Sequence, residues 1–182
     1  MHFINVFIFL FSAALLFSNC KKEEEKLKEQ LPSITTEGKM TFACIIKNNY
    51  LFLFNANGVY EAPVMGILTS CKGGTYMEKN NDEIVINARN CGDYPSYKIV
   101  FDLKNTFKVN DEIKIGKNTK NSCHIFASEP KDWSKADSAV GSGIIKILRA
   151  DSILSGLFYI STFTDENFEV KLTEGRFDLK FE

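Results

Sequence analysis

Apolar and polar residues alternate with a period of two along much of this 182-residue chain, and this pattern restricts its fold most strongly. Two segments, 98–103 and 176–181, show it clearly. Their apolar positions are Ile99, Phe101, Leu103, Phe177, Leu179 and Phe181. Successive side chains of a β-strand point to opposite faces, so both segments predict strands with one buried and one solvated face.

Turn residues separate the other apolar runs at intervals too short for ordinary helices. Asn55-Ala56-Asn57-Gly58 lies between the runs 50–54 and 59–64, and Asn-Gly favours a tight hairpin turn. Further runs at 144–148, 153–163 and 168–173, with turns at 150–152 and 165–167, predict a meander. We therefore expect an all-β domain, either an antiparallel β-sandwich or a flattened barrel. Residues 128–138 predict one short helical insertion, capped by Ser128 and with Pro130 in its first turn.

The N-terminus carries a separate apolar run. Residues 3–17 are free of charge and would span about 22 Å as a helix, which is short for a bilayer and typical of a signal peptide that is removed on maturation. A charged segment follows, and Pro32 closes it. The chain is thus divided into a signal peptide at 1–19, a tether at 20–33 and a single domain at 34–182.

The end of the apolar run carries a motif. Leu16-Phe17-Ser18-Asn19-Cys20 resembles the lipobox of bacterial lipoproteins, in which the cysteine sulfur receives a lipid before the signal peptide is cut off. The resemblance implies that Cys20 is the lipidated first residue of the mature protein and that the lipid anchors it to a membrane. An ordinary secretory signal with a chance cysteine is the alternative.

The charged segment directly after Cys20 has a resemblance of its own. Lys22, Glu23 and Glu24 are similar to the export signal of Bacteroidota lipoproteins, which directs them to the outer face of the outer membrane. Read from the residues alone, the segment is a solvated tether, in which Glu24 and Lys28 have the i,i+4 spacing of an incipient helical turn. Both interpretations can hold together.

The C-terminal part resembles a domain of short Bacteroidota outer-membrane lipoproteins of unknown function. The similarity is carried by Gly156, Phe158, Ser161 and Phe163, and by the ending Leu-Thr-Glu-Gly-Arg-Phe-Asp-Leu-Lys-Phe at 172–181. Leu31-Pro32, Thr35, Met40-Thr41-Phe42 and Asn48-Asn49 look like the opening of that domain, whereas residues 66–140 match it poorly. The resemblance implies a fold and a location but no activity.

Four cysteines remain after Cys20, and an even number in an exported chain favours disulfides. They are Cys44, Cys71, Cys91 and Cys123. Sequence leaves all three pairings open, although a predicted hairpin between Cys71 and Cys91 favours joining these two, which would leave Cys44 with Cys123. Free buried thiols are the alternative. The chain has no C-x-x-C pair, and His124 is the only histidine after the signal, so we expect no metal site.

The sequence gives only weak evidence for a catalytic group of residues. His124 follows Cys123, but neighbours on a strand point to opposite faces and cannot easily share a proton. Gly141-Ser142-Gly143 lacks the spacing of a nucleophile elbow. The 22 basic and 23 acidic residues give a net charge of −1, so the chain has no excess of positive charge with which to bind nucleic acid. We therefore expect neither an enzyme nor a cofactor.

Aromatic residues in or near irregular segments are the ligand-binding candidates. Tyr94, Tyr97 and Trp133 could stack on sugar rings or anchor a protein partner, or they could cap the ends of the core. The leading hypothesis is a non-catalytic, surface-anchored module that binds a glycan or an envelope protein. An envelope hydrolase and a purely structural or inhibitory lipoprotein are the alternatives.

Overall fold

The computed structural model describes residues 23–48, 53–55, 58–60, 65–69, 74–80, 82–89, 96–128, 137–163 and 169–181. The chain forms two compact units that divide between Leu31 and Pro32. In the first unit, residues 23–30 form a helix, α1, in which Lys28 Nζ lies 3.9 Å from Glu24 Oε1. This is the i,i+4 pair noted in the sequence. No helix among the described residues is long and apolar enough to cross a membrane.

The second unit consists of β-strands joined by turns. The described strands are β1 (Thr41–Asn48), β2 (Leu53–Asn55), β3 (Gly58–Tyr60), β4 (Met65–Thr69), β5 (Thr75–Lys79), β6 (Glu83–Arg89), β7 (Ser96–Lys104), β8 (Glu112–Ile115), β9 (Ser122–Ser128), β10 (Asp137–Ala150), β11 (Ile153–Phe163) and β12 (Glu169–Lys180). The predicted all-β class is confirmed.

One antiparallel sheet contains ten of these strands and curls into a nearly closed barrel. Its order is β4-β1-β12-β11-β10-β9-β7-β6-β5, and β8 also pairs with β10. Strands β5 to β12 therefore form a meander from which only β8 is left out, since β7 pairs directly with β9, and β1 continues it by pairing with β12. The far end of the sheet returns towards β12, since Lys79 Nζ of β5 lies 5.1 Å from the ring centroid of Phe181. Of the two predicted architectures, the flattened barrel is the closer description.

Two predicted hairpins are confirmed. Asn55 pairs with Gly58 between β2 and β3, as the Asn-Gly turn predicts. The hairpin expected between Cys71 and Cys91 is the β5–β6 pair, although both cysteines lie outside the described residues. The bounds of the helical insertion are wrong, because Ser128 is the last residue of β9 and β10 begins at Asp137. Ser128 pairs with Ser96 of β7 and Asp137 pairs with Ala127 of β9, whereas 129–136 lie outside the described residues.

Aromatic rings fill the interior of the barrel. The ring centroid of Phe158 lies 5.1 Å from that of Phe42, 5.2 Å from that of Phe101 and 6.4 Å from that of Phe177. All four side chains are buried in one apolar cluster that draws on most strands of the sheet. Aromatic contacts at these separations add to the free energy of apolar burial.

Two glycines make room for these rings, and each glycine is the cross-strand partner of the phenylalanine that covers it. Phe158 of β11 pairs with Gly175 of β12, and Gly156 of β11 pairs with Phe177 of β12. A Cβ atom on Gly156 would lie 2.7 Å from the Phe177 ring, and one on Gly175 would overlap the Phe158 ring. This reciprocal arrangement explains the Gly-x-Phe spacing of 156–158 and 175–177, because each strand supplies one glycine and one ring.

A β-bulge in β12 bends the sheet beside these pairs. Phe158 pairs with Gly175 and Ile160 pairs with Leu172, so Tyr159 alone faces two residues, Thr173 and Glu174. Glu174 has φ of 53°, as expected where an extra residue is inserted. Bulges increase the local twist of a strand, which helps the sheet to curl around its aromatic core.

The Gly175→Ala variant tests the reciprocal packing. The added methyl group would overlap the Phe158 ring, so we expect a loss of about 2 to 3 kcal/mol in the free energy of unfolding, measured by urea denaturation. Gly116→Ala is the matched control, since a Cβ atom there would make ordinary contacts at 3.8 Å or more. Equal stability of the two variants would contradict the packing.

Candidate binding surface

Only some of the sequence-predicted site residues lie in the part of the chain that the structure describes. Tyr97 is only 4% exposed and belongs to the core, so its role as a ligand-binding residue is wrong and the core interpretation holds for it. Tyr94 and Trp133 lie outside the described residues, as do Cys20 and Lys22. Glu23 and Glu24 lie in α1.

The described cysteines are buried free thiols. Cys44 and Cys123 are both completely buried, and the structure contains no bond between them. For these two residues the structure agrees with the alternative that both are free buried thiols. Burial raises the pKa of the Cys44 thiol far above its usual value, so it is protonated at neutral pH. Neither thiol can act as a nucleophile towards a substrate in this state.

The two faces of β10 differ sharply, and the outward one exposes large apolar side chains. Ile145 and Ile147 point into the core, whereas Val140 and Ile144 point outwards and are 42% and 45% exposed. Tyr159 of β11 pairs directly with Ile144 and is 50% exposed. These residues form an apolar surface on the outside of the barrel.

Strand β9 extends this surface with aromatic rings. His124 pairs with Val140, and its ring stacks on that of Phe126 with centroids 6.3 Å apart. Lys98 of β7 lies over Phe126, with Nζ 5.7 Å from the ring centroid. The direction of His124 confirms that Cys123 and His124 point to opposite faces. We call the surface formed by His124, Phe126, Val140, Ile144 and Tyr159 the outer face.

An open groove of about 360 Å³ adjoins the outer face. Its polar lining includes Lys104, Lys114, Thr106, Thr119, Lys120, Asn121, Asp111 and Glu112, and Phe107 and Ile113 provide its apolar part. Lys114 of β8 pairs with Ile144, which makes the groove continuous with the outer face. Asn121 shapes it by accepting the Lys104 N–H at 2.9 Å and donating to the Lys114 carbonyl at 3.4 Å.

The N-terminal segment covers the neighbouring part of the same side of the sheet. We call residues 32–39 the strap. The Asp178 carboxylate of β12 accepts hydrogen bonds from the Thr35 hydroxyl at 2.5 Å and from the amides of Glu37, Gly38 and Lys39 at 3.0, 2.8 and 3.2 Å. Gly38 has φ of +75°, a conformation that glycine adopts without strain. Four donors therefore converge on one buried carboxylate.

Two arginines hold the backbone of the strap from the sheet side. Arg149 Nη1 donates to the Thr36 carbonyl at 2.7 Å, and Arg176 Nη1 donates to the Pro32 carbonyl at 2.9 Å. Ser155, the cross-strand partner of Asp178, is completely buried, whereas Tyr159 four residues along β11 is open. The strap thus marks one limit of the outer face.

The carboxyl groups with shifted pKa values do not have the character of a general acid. Burial of Asp178 opposes its ionisation, but the hydrogen bonds from Thr35 and from the three amides outweigh burial, and its pKa is lowered. The side-chain hydrogen bond from Arg149 lowers the pKa of Asp151. A general acid near neutral pH needs a raised pKa. No cluster of three metal-ligating side chains occurs among the described residues.

The fold and its surface define this chain as an all-β protein with a filled, nearly closed barrel and an apolar outer face. Comparisons with protein-family models, curated proteins and solved structures gave no match. The resemblance to Bacteroidota lipoproteins therefore stays a prediction.

The sequence analysis missed the residues of the outer face. Apolar side chains occur at both odd and even positions of 153–163, so the period of two is lost there and does not reveal which side is exposed. The departure from alternation was itself the available signal, since it indicates a strand with apolar residues on both faces.

Replacing Asp178 by Asn tests the strap. The variant keeps the size of the side chain but removes the charge that strengthens four hydrogen bonds, so we expect a loss of about 2 kcal/mol in the free energy of unfolding at pH 7. Because the folded pKa of Asp178 is lowered, its contribution is present above the unfolded pKa of about 3.9 and disappears as the pH falls through the folded pKa.

Urea denaturation between pH 7 and pH 2 measures this dependence. The difference between the wild type and the Asp178→Asn variant should shrink as the solution is acidified. Asp82→Asn, at an exposed position, is the matched control and should leave stability unchanged at both ends of the range. A difference that stays constant with pH would contradict the role of the carboxylate.

Proposed function

We propose that this protein is a lipid-anchored, non-catalytic module that binds a glycan through the outer face and the adjoining groove. The observation that carries the proposal is the direct pairing of exposed Tyr159 with exposed Ile144 on a sheet whose other side is a filled core. Tyrosine combines a flat apolar ring with a polar hydroxyl, which suits it to the apolar face and the hydroxyl rim of a sugar.

The surroundings of Tyr159 favour a sugar over a purely apolar ligand. Ser142 lies on the same side of β10 and is exposed, between Val140 and Ile144. The groove adds hydroxyl groups from Thr106 and Thr119, together with charged side chains of both signs. Such a mixture matches a polyhydroxylated ligand, which needs many hydrogen-bonding partners and little net charge.

Binding is favoured over hydrolysis by the electrostatics of the described carboxyl groups. Asp151 and Asp178 are shifted towards the ionised form, whereas glycoside hydrolysis needs one carboxylic acid kept protonated. Asp178 is, in addition, occupied by the strap. An envelope protein that docks on the outer face is the second candidate, because tyrosine and exposed aliphatic residues also occur at protein interfaces.

The membrane anchor is the second part of the proposal. Cys20 carries the lipid, and Lys22, Glu23 and Glu24 direct the protein to the cell-surface side of the outer membrane. The motifs quoted above support this assignment.

The Tyr159→Ala variant tests glycan binding. Removing the ring should weaken binding at least about tenfold, which corresponds to about 1.4 kcal/mol, while stability changes little because the side chain is half exposed. Affinity electrophoresis of the full chain in gels containing dextran, mannan, pectin, alginate or chondroitin sulfate would measure it. Tyr76→Ala, at a tyrosine of β5 that is 44% exposed, is the matched control and should bind like the wild type.

Three results would contradict the proposal. If none of these polysaccharides retards the wild-type protein, the proposal that it binds glycans has no support. Equal weakening by Tyr159→Ala and Tyr76→Ala would show that the effect does not belong to the outer face. Loss of binding in Trp133→Ala but not in Tyr159→Ala would move the site to the residue favoured by the sequence analysis.

Radiolabelled palmitate tests the anchor. Cells that express the wild type should incorporate label into the protein, and Cys20→Ala should abolish it, because that thiol is the acceptor of the lipid. Cys71→Ala is the matched control and should be labelled normally. Labelling of Cys20→Ala at the wild-type level would refute the lipoprotein assignment.

A further inference from the structure

The charged side chains that line the groove are nearly balanced in number but not in availability. Lys104 forms an ion pair with Glu83, so its ammonium group is already compensated. Lys114 and Lys120 are both exposed, and neither has an ion-pair partner among the residues that the structure describes. These two cations are therefore available to a charge that a ligand brings.

The two acidic residues of the groove are less available. Asp111 accepts the N–H of Lys108 through Oδ2 at 2.6 Å, which directs its carboxylate towards its own loop. Glu112 of β8 is the direct cross-strand partner of Lys146, an exposed residue of β10, and opposite charges at such positions attract each other. The charge that remains for a ligand is therefore positive.

The sequence concentrates positive charge in this part of the chain. Residues 104–121 contain five lysines and two acidic residues, a net charge of +3, whereas the whole chain has a net charge of −1. Lysines grouped in this way repel one another. A negatively charged ligand would relieve the repulsion.

Lys114 belongs to the same transverse row as the tyrosine of the outer face. Ile144 of β10 pairs with Tyr159 of β11 on one side and with Lys114 of β8 on the other. Direct cross-strand partners share a face and neighbouring strands are about 4.8 Å apart, so the strand positions of Lys114 and Tyr159 are about 10 Å apart. An elongated ligand that stacks one sugar ring on Tyr159 and crosses Ile144 would bring its next unit to Lys114.

Hydrogen bonds fix the turn that carries Lys120. The Gly116 N–H donates to the Asn121 carbonyl at 3.2 Å, and the Thr119 N–H donates to the Gly116 carbonyl at 3.1 Å. The Asn121 side chain ties this turn to β8 by donating to the Lys114 carbonyl. The backbone of both lysines is thus already ordered beside the groove, which lowers the entropy cost of binding.

We propose that the glycan bound by this protein is an acidic polysaccharide, and that Lys114 and Lys120 hold the carboxylate or sulfate groups of its sugars. The inference rests on the proposed function and narrows its ligand class, since Tyr159 contacts the sugar rings in both. A neutral glycan would displace water from two ammonium groups without supplying a charge in return. Anionic groups supply that charge together with strong hydrogen-bond acceptors.

Pairs of polysaccharides that differ only in charge test the inference. Affinity electrophoresis of the full chain compares alginate, pectin of low ester content and chondroitin sulfate with derivatives of the same polymers that are methyl-esterified and free of sulfate. We expect at least one acidic polymer to bind the wild type at least about tenfold more tightly than its neutral derivative does. Raising NaCl from about 0.05 M to about 0.5 M should remove most of this difference, because salt screens exposed charges.

Variants of Lys114 assign the effect to the groove. Lys114→Gln should weaken binding of the acidic polymer about fivefold, whereas Lys114→Arg, which keeps the charge, should bind like the wild type. Lys180→Gln, at an exposed lysine of β12, is the matched control. It changes the net charge by the same amount as Lys114→Gln and should leave binding unchanged.

Three results would overturn the inference. They are equal retardation by the acidic and neutral forms of every polymer, no more weakening by Lys114→Gln than by Lys180→Gln, and a wild type that no polysaccharide retards. Only the last of these also removes the proposed function. Retardation by neutral polymers that depends on Tyr159 but not on Lys114 would leave glycan binding in place while the acidic ligand falls.

Discussion

The two reciprocal Gly–Phe pairs between β11 and β12 are the constraint on which the rest of this structure depends. Phe158 covers Gly175 and Phe177 covers Gly156, so the two strands can approach the centre of the barrel while two large rings occupy it. The rings of Phe42 and Phe101 complete the cluster from β1 and β7. An interior filled in this way is a core and not a ligand cavity. Under the proposed function, the described part of the chain would bind its ligand on the outside of the sheet, where Tyr159 and Ile144 are exposed.

The outside of the sheet is divided between a covered and an open part. The strap covers Asp178, whose carboxylate replaces the water that the amides of residues 37–39 would otherwise bind. Tyr159 follows Ser155 by four residues on β11, about 13 Å along the strand. Strap and outer face therefore share one side of the barrel.

Alternation of apolar residues was sufficient to predict the class of fold, because each strand with one wet face keeps a period of two, as in residues 98–103 and 176–181. Local turn chemistry likewise predicted the β2–β3 hairpin through Asn-Gly.

Neither pattern predicts contacts between residues that lie far apart in the sequence. The glycine and phenylalanine of 156–158 stand out as a motif, but only the register of β11 against β12 reveals what each residue does. Tyr97 shows the same limit in the candidate site, since a tyrosine at the start of a strand can point either way, and here it points inwards. Asp178 looked like one of several outward charges, and its role depends on a strap about 140 residues earlier in the chain.

Chemical-shift mapping tests most directly the claim that the interior is closed and the outer face binds. The ¹H–¹⁵N spectrum of labelled protein is recorded while a polysaccharide retained in affinity electrophoresis is added. We expect the largest changes at His124, Ile144, Tyr159 and their neighbours on β9–β11, with little change at the inward residues Phe101 and Phe177. Changes concentrated at Phe101, Phe177 and other residues of the core, with the outer face unaffected, would contradict this claim.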